Sequence, residues 1–134
     1  MSLGSWDPDS ESAAGELQLD SALLNRLTGY GREPQLEQLE QVLPADERQV
    51  LAGLMKIDHG AWQSAAEPLD DDALLQLIRF FAVAENLPGW EAGADSPVIP
   101  LAKALRKRGV RLDKDLLRWL REVNDNRFLP YGPL

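Results

Sequence analysis

The chain contains no cysteine, which removes disulfide frameworks, thiolate metal sites and cysteine nucleophiles from consideration. Histidine is almost absent too. His59 stands alone, and as a general base it would need an orienting carboxylate that its neighbour Asp58 does not supply by adjacency. It reads as a surface residue in a helix-ending turn. Long apolar runs are missing: the longest, residues 73–84, is interrupted by Gln76 and Arg79 and falls short of the roughly 20 residues that span a bilayer. Residues 1–16 are polar and acidic, with no apolar stretch of the secretory type. These absences predict a cytoplasmic protein with no membrane partner and no cofactor.

The 134 residues are enough for one domain with its own core, without disulfide or metal staples. The net charge of −8 conceals an asymmetry. Residues 1–102 carry 18 acids against five Lys and Arg, whereas residues 103–134 carry nine Lys and Arg against four acids. Overall acidity argues against non-specific nucleic-acid binding, while the basic end keeps a local electrostatic site.

What is present is a set of helix-opening signals. Leu19-Asp20, Leu69-Asp70 and Leu112-Asp113 each precede an apolar helical run. In each pair the Asp is placed to accept a hydrogen bond from an orphan backbone N–H one turn in. Leu24, Leu74 and Leu117, five residues beyond each leading Leu, complete the spacing of a hydrophobic staple. The three starts are unevenly spaced, so they read as a shared capping device and not as a solenoid repeat.

Three-and-four spacing of apolar residues predicts helices over about 20–28, 34–42, 45–57, 71–85, 97–107 and 114–124, with a short helical turn at 61–66. Gly29-Tyr30-Gly31 is expected to stop the first as a left-handed cap. Pro44 divides the second from the third, because proline lacks the N–H and disfavours the α region at Leu43. Ser96 and Pro97 form an N-cap and first-turn pair, and Gly109 ends the helix they open. Ten of the twelve residues from 73 to 84 are apolar, so this helix is buried on most sides. The fold expected is all-α: a single compact bundle of five to six helices around 71–85. Residues 1–16 form a disordered acidic segment and 17–134 one helical domain.

Chemistry is sparse. Asp70, Asp71 and Asp72 fit a first helical turn, where the dipole favours negative charge, and the EF-hand pattern is absent. No residue is singled out as catalytic, cofactor-binding or metal-ligating. Residues 86–96 form the one long internal connection, and loops of that length are often functional. Trp90, beside Glu91, reads as an aromatic binding anchor, or else as a lid folded back over the core. The basic stretch is the sharper signal: Lys114, Arg118 and Arg121 share one face of the last helix, and Lys103, Arg106 and Lys107 the outer side of the preceding one. The pair resembles a helix-turn-helix. However, residues 108–113 are longer than its tight turn, and the last helix offers few side chains for base edges. The tail holds Phe128 and Tyr131 among prolines, either as a docking peptide or as a strap over the bundle.

The expectation is a non-catalytic interaction or adaptor module. It would bind a protein partner, acidic or a second copy, through residues 86–96, the basic helices and the tail. Two alternatives stand beside it. One is phosphate contact with nucleic acid through residues 103–121. The other is an enzyme or small-ligand site between helices near Arg79, with Glu85 and Glu91.

Overall fold

All three Leu-Asp starts open helices in the computed structural model, which describes residues 19–32 and 35–124. Asp20 accepts from the Leu23 N–H at 2.9 Å, Asp70 from Ala73 at 2.8 Å and Asp113 from Leu116 at 2.7 Å. Asp58 caps a further helix through the Gly60 N–H. His59 therefore lies in the first turn of a helix and not in a turn that ends one. Leu19, Leu69 and Leu112 are half-buried against the core.

The described residues form seven α-helices and no strand. They are α1 (Ser21–Tyr30), α2 (Leu39–Val42), α3 (Ala45–Leu51), α4 (His59–Ala66), α5 (Asp71–Ala84), α6 (Val98–Lys107) and α7 (Lys114–Val123). Short 3-10 turns at Gln35–Gln38, Ala52–Lys56 and Gly93–Asp95 join or extend them. Pro44 separates α2 from α3, as its chemistry requires. The second half of the run expected over 45–57 tightens into 3-10 geometry.

The stop of α1 differs from expectation. Gly31 is right-handed (φ −75°), so it is not a left-handed cap. Its role is close approach: a Cβ there would run into the backbone carbonyl of Gln76 on α5. Gly109 does adopt the left-handed region, at φ +82°. Val110 donates to the Leu105 carbonyl and Gly109 to that of Arg106, each at 3.0 Å, the paired bonds of a Schellman motif.

α5 is the axis of the bundle. Leu74, Leu77, Ile78, Phe80, Phe81, Ala82 and Ala84 are all buried on it. Phe80 and Phe81 form a chain of aromatic contacts with Tyr30, Trp62 and Trp90. Arg108 meets Asp71 while Ser96 meets Glu85, so α6 runs antiparallel to α5. Trp119 lies under Arg79 and Asn124 meets Ala82, so α7 runs parallel to it. Among the described residues no helix is long and apolar enough to cross a membrane. The expectations for residues 1–16 and for Phe128 and Tyr131 fall outside the described residues.

Candidate functional site: the groove between the last two helices

The antiparallel α6–α7 pair follows from its sequence. Val98, Leu101, Ala102 and Leu105 are buried on α6, while Lys103, Arg106 and Lys107 are exposed. The Schellman motif reverses the chain, and Asp113 opens α7. α7 is the most sharply amphipathic helix of the fold, yet only Leu120 is fully buried on it. Leu116, Leu117, Trp119 and Val123 are half-buried, where the leucine stripe and Val123 predict full burial.

That incomplete burial leaves a groove of about 650 Å³ between the two helices. Its floor is Ala102, Val110, Leu112 and Leu117, and its rim carries Arg106, Arg111 and Lys114. All three cations are exposed, and none forms an ion pair among the described residues. The one carboxylate at the rim, Asp113, is engaged as the cap of α7. Chemically, the site is a strip of apolar surface inside a positive field. It suits a ligand combining an apolar side chain with negative charge.

The other predicted residues are dispersed. Lys103 and Lys107 face away from the groove and line a cleft of about 280 Å³ against Gln63 and Ser64 of α4. Arg118 is exposed and pairs with Asp115 at 3.5 Å, and Arg121 is exposed. Arg108, the residue that follows α6, reaches back across the bundle. It pairs with Asp71 at 2.9 Å and donates to the Ala66 carbonyl at 2.9 Å. The single basic stretch of the sequence is thus divided into a groove rim, a second cleft and a structural clamp.

Of the two readings of Trp90, the lid folded back over the core is the one found, and the binding anchor is not. The indole is only 1% exposed, packs edge-on against Phe80 at 6.0 Å and donates from Nε1 to the Arg48 carbonyl at 3.1 Å. It has no free face to serve as an anchor. The cause is local: Leu87-Pro88-Gly89-Trp90 closes a tight turn through the bond from Trp90 N to Leu87 O. Proline at the second position and Gly89 at φ +86° give that turn the type II pattern and return Trp90 to the core. Glu91 is left exposed.

The residues proposed around Arg79 are not brought together either. Arg79 lies 5.2 Å from the centroid of the Trp119 ring. Glu85, six residues on and just past the end of α5, is buried. Its carboxylate accepts from the Ser96 hydroxyl and, at 3.4 Å, from Asn124 Nδ2, which also donates to the Ala82 carbonyl at 3.0 Å. This polar cluster joins the end of α5, the entry to α6 and the exit of α7. Sequence reasoning passed over Ser96 and Asn124 as members of it, because hydrogen-bond partners up to 42 positions apart leave no local pattern.

Asp70, Asp71 and Asp72 cap α5, pair with Arg108 and pair with Arg32 (2.8 Å), in that order. No group of His, Asp or Glu able to hold a metal is found among the described residues. Comparison with protein families, with curated proteins and with solved structures returned no match.

Proposed function

We propose that this protein is a non-catalytic interaction module whose α6–α7 groove receives an acidic peptide segment bearing an apolar side chain. The observation that supports this is the pairing of the floor (Ala102, Val110, Leu112, Leu117) with a rim of cations (Arg106, Arg111, Lys114) that no ion pair within the described fold neutralises. Rim charges attract and orient an anionic partner, and burial of an apolar side chain holds it. Phosphate contact by nucleic acid would use the rim but has little to place on the floor. Residues 86–96 do not enter this reading, since Trp90 belongs to the core and Glu91 is not among the residues that line the groove.

The test is fluorescence anisotropy with a short fluorescein-labelled Asp/Glu peptide bearing one central tryptophan. Wild-type binding is expected to be lost in Arg106→Glu/Lys114→Glu and weakened in Leu117→Ala, while Lys103→Glu, outside the groove, changes it little. Binding that tolerates both groove variants overturns the reading. Displacement of the peptide by an oligonucleotide, with Leu117→Ala silent, would transfer the surface to phosphate recognition.

A further inference from the structure

We infer that the first occupant of this groove is the chain's own N-terminal segment, residues 1–18, which closes the site against other ligands. The inference rests on the binding reading above and deepens it by naming a regulator. Three observations support it.

The first is charge. Residues 1–18 contain Asp7, Asp9, Glu11 and Glu16 and no Lys, Arg or His, opposite in sign to the rim of Arg106, Arg111 and Lys114. The second is an apolar payload. Trp6 immediately precedes the acids and gives the segment one large side chain to set on Val110, Leu112 and Leu117. The third is reach. Eighteen residues extend to about 60 Å, against about 35 Å for the diameter of a fold of roughly 100 residues. The segment joins the fold at Asp20, the cap of α1, so any face lies within its range.

The other end of the chain fits less well. Residues 125–134 hold one acid, Asp125, and one base, Arg127, and so offer the rim no net side-chain charge. They also leave from Asn124, whose side chain is bound to Ala82, at the opposite end of α7 from Lys114. A closed groove then has a simple consequence. The apparent affinity for an external peptide is reduced by the fraction of molecules in which the segment is docked.

The absence of cysteine makes the test direct. A nitroxide on Ser10→Cys in the full chain is expected to broaden the amide signals of Val110, Leu112 and Leu117. Broadening should vanish in Asp7→Asn/Asp9→Asn/Glu11→Gln/Glu16→Gln and shrink as salt shortens the Debye length from about 10 Å at 0.1 M to about 3 Å at 1 M. The neutralised variant should bind the acidic tryptophan peptide more tightly than wild type, by about tenfold if about nine-tenths of molecules are closed. Several outcomes overturn the inference: no broadening, broadening elsewhere, or broadening that survives neutralisation. Broadening seen only between labelled and unlabelled copies assigns the groove to a second copy. A shift of the groove amides on deletion of residues 125–134, with the label silent, assigns it to the tail. Either result also overturns the inference. If the label is silent while the peptide still binds, self-docking alone fails. If the label broadens the groove while the peptide binds neither form, the interaction reading fails and self-docking stands.

Discussion

Asp72 shows how one exposed side chain ties distant parts of the fold together. Its carboxyl is held below the usual carboxylate range, chiefly by the hydrogen bond from Arg32 and secondly by that from Gln76. A carboxyl whose folded value lies below its unfolded one adds stability above the unfolded value, and that stability is lost as pH falls through the folded one. Asp72→Asn is therefore expected to destabilise the protein by about 0.5 kcal/mol at pH 7, the range of an exposed ion pair. The difference from wild type should shrink in urea titrations as pH falls below the ordinary Asp range and disappear only below the lowered folded value. A gap that persists in acid would show that the ion pair is not its source. Trp90 is the opposite case, a residue whose whole effect is packing. Trp90→Ala should cost about 3–5 kcal/mol, read from the urea midpoint, while leaving peptide binding by the folded protein unchanged. A loss of binding without a loss of stability would return Trp90 to the interaction surface.

At the scale of the element, glycines separate two physical constraints. Gly29 lies within α1, with open space where a Cβ would stand. Gly29→Ala should stabilise the protein by about 0.5–1 kcal/mol through helix propensity. Gly31→Ala, two residues on, should destabilise it by well over that amount, because the methyl meets the backbone of α5 and not a yielding side chain. Thermal unfolding of both variants checks the contrast, and equal effects would mean that α1 does not press on α5 at Gly31. The capped starts of α1, α5 and α7 were all legible in the sequence, since an Asp cap acts within one turn. The stop of α1 was not. Gly31 sits at a helix end for the sake of a neighbour 45 positions away, and its spacing imitates a left-handed cap.

The whole molecule depends on how α7 is held. Asn86 Nδ2 donates to the Val123 carbonyl at 2.6 Å, and Asn124 bridges to Ala82 and Glu85. These bonds secure one end of α7, while its other end borders the groove. Asn124→Ala removes two of them from a buried site, and a buried polar group deprived of a partner costs about 1–3 kcal/mol. The loss should be local first. Amide exchange is expected to rise along α7 before it rises in α5, and peptide affinity should fall as one wall of the groove loosens. Uniform acceleration of exchange across the core would show that the cluster supports the entire bundle and not the placement of α7.

Helical class, the central place of residues 71–84, the capped starts, the break at Pro44 and the concentration of positive charge after residue 102 were determined by sequence alone. Each rests on interactions within a few residues or on composition, so a linear reading captures it. The tertiary structure decided the rest. It turned Trp90 inward onto Phe80 and gathered Glu85, Ser96 and Asn124 into one buried cluster. It also withdrew Arg108 to Asp71 and parted Lys103 and Lys107 from Arg106, Arg111 and Lys114. Those outcomes depend on which helix faces which, through contacts 10 to 42 residues apart along the chain. A leucine stripe shows that α7 has an apolar face; only the packing of α6 beside it shows how much of that face is left open.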